Sequence, residues 1–151
     1  MRKIAVITGI RSEYDIVYSV LKSIKRSPDL ELQLIAGGTH LTPTFGNTVR
    51  EIENDGFEIA DRIESSINSD KLSGRVKSLG IQIMGLVQTL DRIGPDIILS
   101  SGDREEAVCA ALVGTYMNIP FAHISGGDRV YGNIDDSIRH AVTKLAHIHF
   151  P

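Results

Sequence analysis

Three aspartates, Asp128, Asp135 and Asp136, fall within nine residues between His123 and His140, beside the glycine pair Gly126 and Gly127. Carboxylates gathered in one cleft raise one another's pKa and suit general acid and base roles. The two glycines let a backbone turn sharply or let a ligand come close to it. Asn133 can cap a following helix, with Asp136 at its third position. Asp135 then has no structural task. Neighbours one apart on a helix point about 100° apart, so one acid can serve the cap while the other serves chemistry. The plainer alternative is a solvated acidic loop.

Three other short segments carry similar groups. In "TGIRSEYD" Ser12 can cap a helix with Asp15 at its third position, which leaves Arg11 outside. Such an arginine can fork onto a phosphate or pair with Glu13 or Asp15. In "SSGDREE" Asp103 either caps a helix, with Glu106 three residues on, or aims its carboxylate into a cleft, and Arg104 beside it can hold an anion. In "GGTHL" His40 is expected to face the cleft. His147 and His149 form an H-x-H pair with no third ligand at a convincing spacing. Hydrogen-bonded histidines are therefore expected and no metal. The chain has neither the P-loop pattern nor GxGxxG.

These groups must be positioned by the elements between them. "KIAVIT" (3–8) is a continuous apolar run, as in a strand buried on both faces. Residues 12–26 carry Tyr14, Val17, Leu21 and Ile24 at helical spacing. A strand (30–38), a helix stopped by Gly56 and a short strand (57–63) follow. A long helical segment runs from Lys71 to Arg92 through Gly80 and Gly85. Strand and helix then alternate: 95–103, 104–118, 119–128, 133–147 and a last strand from 148. This alternation implies an α/β fold, a Rossmann-like parallel sheet with helices on both faces. In such sheets ligands bind beyond the carboxyl ends of the strands, where helix N-termini point. The four chemical segments all fall at such junctions.

Composition narrows the classes. The 151 residues suit one domain, 1–151. The net charge of −3 gives no basic field for nucleic acid or an anionic membrane, and the absence of Trp argues against a base-stacking platform. No apolar run reaches the ~20 residues of a membrane span, and the N-terminus reads as a core strand, so a cytoplasmic protein is expected. The single cysteine, Cys109, is expected to be a packed core thiol.

The segments "ITGIRSEYDI", "GGTHLTPTFGNTVREIENDGF", "PDIILSSGDREEA", "MNIPFAHISGGD" and "GNIDDSIRHAVTKLAH" together resemble the hydrolysing UDP-N-acetylglucosamine 2-epimerases of the sialic- and legionaminic-acid type. The resemblance covers essentially the whole chain. It implies one lobe of a GT-B-like two-domain fold, here the N-terminal lobe, with a C-terminal lobe still to come. A chain that stops one residue past a strand fits that expectation. The resemblance further implies a UDP-sugar substrate, no cofactor and the homo-oligomeric habit of the relatives. Carried over residue by residue, it gives Asp103, Asp135, Asp136, Asp128 and His123 catalytic roles. It places Arg11, Arg104, His40 and Ser125 at the UDP-sugar. Relatives often carry glutamate at Ser125, and serine cannot act as a carboxylate base. Asp128 or Asp135 then takes that task, or the sugar differs; a UDP-2,4-diacetamido sugar and a non-catalytic binding module are the alternatives.

Overall fold

Ala5, Val6 and Ile7 are all buried, so the strand they form is covered from above and below. The computed structural model describes residues 1–129 and 131–151. The elements are β1 (Arg2–Thr8), α1 (Arg11–Arg26), β2 (Leu30–Gly37), α2 (Val49–Asn54), β3 (Ile59–Ile63), α3 (Leu72–Ile93), β4 (Ile97–Ser101), α4 (Glu105–Met117), β5 (Phe121–Ile124), α5 (Ile134–Leu145) and β6 (Ile148–Phe150). Two 3-10 turns, Gly38–Leu41 and Pro43–Phe45, join β2 to α2. The six strands form one parallel sheet in the order β3-β2-β1-β4-β5-β6. Strand order reverses between β1 and β4, which makes their carboxyl ends the switch point where open α/β sheets bind ligands.

Two apolar cores flank the sheet. One packs Leu86, Leu90, Ala110 and Val113 of α3 and α4, with Val142 of α5, against Ile7, Ile98 and Phe121. The other packs Tyr14, Val17 and Leu21 of α1 and Ile52 of α2 against Val6, Leu34 and Leu99. α4 lies between α3 and α5, which explains why it is apolar nearly all round. Cys109 is a buried free thiol within it, pushed up to about 12 by burial. α3 runs unbroken through Gly80 and Gly85. On the α1 side, β4, β5 and β6 leave an apolar groove of about 340 Å³ lined by Leu99, Ala122, Ile124, Ile148 and Phe150. Among the described residues no helix is long and apolar enough to cross a membrane.

Candidate active site

The first junction is built differently from its sequence reading. α1 begins at Arg11, its N-cap is Ile10, and neither Ser12 nor Asp15 forms a capping box. The end of the helix is served instead by Glu13, whose Oε2 accepts from the Gly9 amide at 3.3 Å. Glu13 lies beneath the rim, only 8% exposed. Arg11 is exposed and ion-paired, its Nε 3.1 Å from Glu51 of α2 and 4.0 Å from Asp15.

The second junction is also re-drawn. α4 starts at Glu105 with Arg104 as N-cap residue and no side-chain cap. Asp103 therefore does not cap the helix. It accepts from Arg139 of α5 through Nε at 2.9 Å and through Nη2. Both side chains are mostly shielded, at 16% and 17% exposed, so this pair is stronger than a surface ion pair. Glu106, read as the capping partner, turns inward and is buried. Its carboxyl lies against Gly9 and Gly38, where a Cβ on either glycine would overlap it. The glycines at the ends of β1 and β2 thus leave room for an internal acid.

Burial raises Glu13 to about 8, with the charge of Glu106 adding to the rise; Asp103 pushes the same way, while the Gly9 amide and Arg104 oppose. Glu106 is raised too, chiefly by burial. Glu13, Glu106, Arg104 and Asp103 therefore share one electrostatic neighbourhood at the switch point. Glu13 Oε1, Glu106 Oε2, Arg104 Nε and both amide atoms of Gln82 are buried without a hydrogen-bond partner among the described residues.

The third junction corrects the expectation for His40. It is fully buried, not open to the cleft. Its Nε2 lies 3.0 Å from Thr8 Oγ1 and its Nδ1 2.8 Å from Thr48 Oγ1. Burial lowers it to about 4, so it is neutral near pH 7. His40 ties the end of β1 to the entry of α2.

At the fourth junction His123 is fully buried as well. Its Nε2 lies 2.7 Å from the Gly102 carbonyl, which can only accept, so Nε2 carries the proton. Nδ1 then accepts from Thr143 Oγ1 at 3.1 Å. Burial lowers the pKa of His123 despite the opposing Gly102 bond. Gly126 closes over this pair: a Cβ there would stand 2.6 Å from His123 Nδ1 and 2.7 Å from Thr143 Oγ1. The small residue accommodates the protein's own histidine as well as a turn. Ser125 has a positive φ of 58° and donates its amide to Phe150. Asp128 is exposed in the loop.

Asn133 caps α5 as expected, accepting from the Asp135 amide at 3.3 Å. Asp135 does have a structural partner, because the Asn133 side-chain amide donates to its Oδ2 at 2.6 Å. Asp136 lies 3.5 Å from His140, one turn along. Asp103, Ile134 and Ile138 line one groove, so the first turn of α5 and the β4–α4 junction meet there. Arg104 faces a second cleft beside Gln82 and Glu106. Arg11 is joined to α2 through Glu51. His147 accepts from the Phe121 amide at 3.2 Å, a structural bond. Among the described residues no three His, Cys, Asp or Glu side chains are grouped to hold a metal.

Glu13, Glu106, Gln82 and Arg139 were not singled out as functional by sequence reasoning. A signal existed for the first three. Glu13 shares the stripe of Val17, Leu21 and Ile24; Glu106 shares that of Ala110 and Val113; Gln82 shares that of Leu86 and Ile93. A polar residue at the start of an apolar stripe must be buried at the rim.

A parallel α/β sheet with acids, arginines and glycine-lined backbone at its switch point defines the doubly wound class, in which that point is where ligands bind. The UDP-N-acetylglucosamine 2-epimerase family model matches residues 22–151, and the chain belongs to that family. A UDP-N,N'-diacetylbacillosamine 2-epimerase (hydrolyzing) from Legionella pneumophila is 37% identical over 99% of this chain and 40% of its own length. A UDP-N-acetylglucosamine 2-epimerase from Neisseria meningitidis is also 37% identical, over 99% of this chain and 38% of its own. The chain thus spans about two fifths of the length of the curated relatives it matches. The crystal structure of a UDP-GlcNAc 2-epimerase from Neisseria meningitidis bound to UDP-GlcNAc shares the fold, with TM-score 0.83 at 20% identity over 99% of this chain and 39% of that one.

Proposed function

We propose that this chain is the N-terminal lobe of a hydrolysing UDP-N-acetylglucosamine 2-epimerase, which converts UDP-N-acetylglucosamine and water to N-acetylmannosamine and UDP. In this reading a base takes the C2 proton as the C1–O bond to UDP breaks on the opposite face, leaving a glycal. Water then adds its hydroxyl to C1, and a proton is delivered to C2 from the other face. Loss of UDP builds positive character at C1 and negative charge on the diphosphate. Carboxylates offset the first and guanidinium groups the second.

The observation that carries the reading is the Asp103–Arg139 pair, which draws the acid after β4 to the helix bearing Asp135 and Asp136 in a chain of this family. Asp103, Asp135, Asp136 and Asp128 supply the acid and base steps. Arg11 and Arg104 meet the diphosphate, and Arg11 exchanges Glu51 for it. Ser125 contacts the sugar from its strained turn. His123 and His40, buried and fully hydrogen-bonded, position the Gly102 and Gly9 turns without touching substrate. The relatives' names favour a second reading, a UDP-2,4-diacetamido sugar, because the diacetylbacillosamine and N-acetylglucosamine enzymes are equally similar.

The two-lobed protein incubated with each UDP-sugar tests this. Free UDP with the 2-inverted amino sugar supports the reading and identifies the sugar. A 2-inverted sugar that keeps its UDP, or no UDP release from either substrate, contradicts it.

A further inference from the structure

The solvent side of a surface helix ordinarily carries charge. α3 has no charged residue from Ser78 to Leu90, and α4 has none from Ala107 to Met117. Ile81, Met84 and Val87 are nevertheless exposed on α3, Met84 by 67%, and Tyr116 of α4 is 88% exposed. The two helices pack against each other. Between them runs a shallow groove of about 210 Å³, lined by Ile83, Val87, Leu112 and Tyr116 among others. Gly80 is exposed on α3 too, and an added Cβ there would meet nothing within 4 Å. Glycine is unfavourable in a helix interior, and no contact inside the chain calls for this one. α3 and α4 both run from the carboxyl rim toward the amino ends of the strands, so Val87 and Tyr116 lie away from the proposed reaction.

The charge pattern selects the partner. The uncharged stretch of α3 is bounded by Lys77 at one end and Asp91 at the other, both exposed. Neither has an ion-pair partner among the described residues. Met84 lies midway between them, about 10 Å along the helix axis from each. Two copies of α3 laid antiparallel about a two-fold axis at Met84 therefore bring Lys77 of each copy to Asp91 of the other, across an uncharged seam. A two-fold interface uses the same patch on both copies, so the patch must complement itself, and this one does. A face of one charge sign would repel its own copy. Exposed Met and Tyr with no charge between them also match the composition of interface cores. The area is sufficient. α3 spans 22 residues. At about 33 Å long and two helices wide, the face covers on the order of 600 Å². Each partner of a standard interface contributes ~800 Å².

We propose that the α3–α4 face is a two-fold interface between copies of this protein, centred on Met84, with Tyr116 as its aromatic anchor and Lys77 paired with Asp91 across the axis. Sedimentation velocity of the 151-residue chain and of the two-lobed protein, from ~1 to ~100 μM, tests it. The expected result for both is a monomer–dimer equilibrium. Asp91→Lys sets a lysine against Lys77 of the other copy and weakens the dimer about tenfold, and adding Lys77→Asp restores it. Met84→Arg, which puts two like charges at the axis, weakens it about 100-fold. Phe150→Arg, at the apolar groove on the α1 side, leaves it unchanged. All four positions are exposed, so helical content by circular dichroism stays that of the parent. If a variant loses it, dilution of the 15N-labelled parent decides. The Ile81, Gln88 and Tyr116 amide signals then shift as the dimer dissociates, and constant signals overturn the proposal. A monomer at every concentration in either protein overturns it as well. So does a dimer that Phe150→Arg dissociates while Met84→Arg and Asp91→Lys leave it intact. No turnover is measured, so the outcome is independent of the epimerase reading.

Discussion

Glu13 sits where β1 and β4 part, and burial with Glu106 close by brings its carboxyl to about 8. Between pH 4.5 and 8 the folded chain keeps this proton while the unfolded chain releases it. Stability therefore falls as pH rises through that window, by roughly 1.4 kcal/mol per unit from this group. His40 acts in the other direction. Its folded value near 4 lies below the ordinary 6.5, so its contribution is intact above 6.5 and is lost as pH falls toward 4. Glu13→Gln should remove the alkaline loss: in urea unfolding, the drop in stability from pH 5 to pH 8 shrinks by a few kcal/mol relative to the parent. An unchanged drop would show that Glu13 does not titrate there. Asp103→Asn in the two-lobed protein should lower kcat by at least ~100-fold, as expected for a lost acid–base or charge-stabilising group. Near-full turnover would leave Asp103 only the task of holding Arg139. The residue types at these positions were visible in the sequence. Their partners were not, because Arg139 lies 36 positions from Asp103 and Thr143 lies 20 from His123.

At the scale of elements, the apolar runs located β1, β4 and β5 among the described residues, since a strand largely buried on both faces has little polar side to obscure it. The glycines in α3 did not break it, because packing of its apolar stripe outweighs about 1 kcal/mol per glycine. Helix starts were less legible. Three junctions offered plausible side-chain caps, and only Asn133 forms one. At α1 and α4 the candidate caps lost to an internal acid and to an ion pair across elements, neither of which local spacing encodes. The turn after β5 shows the same tertiary control. Gly126→Ala should destabilise the fold by about 1–3 kcal/mol, the usual cost of overpacking, because the new methyl meets the His123–Thr143 pair. Thermal unfolding checks it. Gly127→Ala, with nothing within 4 Å but a φ of +86°, should cost less, through backbone strain alone. Equal stability of Gly126→Ala and the parent would mean that His123 is not held as described.

Over the whole molecule, the strand order brings the four junctions to one rim, and the shared field of Glu13, Glu106, Arg104 and Asp103 ties the central ones together. That convergence could be anticipated from the βαβ alternation, whereas the division of the rim into an Asp103–α5 groove and a Gln82–Glu106 cleft could not. The isolated 151-residue chain should fold, with a cooperative unfolding transition, yet release no UDP from UDP-N-acetylglucosamine, since a GT-B-like site is completed by a second lobe. Measurable turnover by the purified chain would refute that division of labour. The most direct test of the elimination–hydration account is the reaction of the two-lobed protein in D2O, followed by NMR of the released amino sugar. The account predicts free UDP and a 2-inverted sugar with one solvent deuterium at C2. A product that retains the original C2 proton would contradict it.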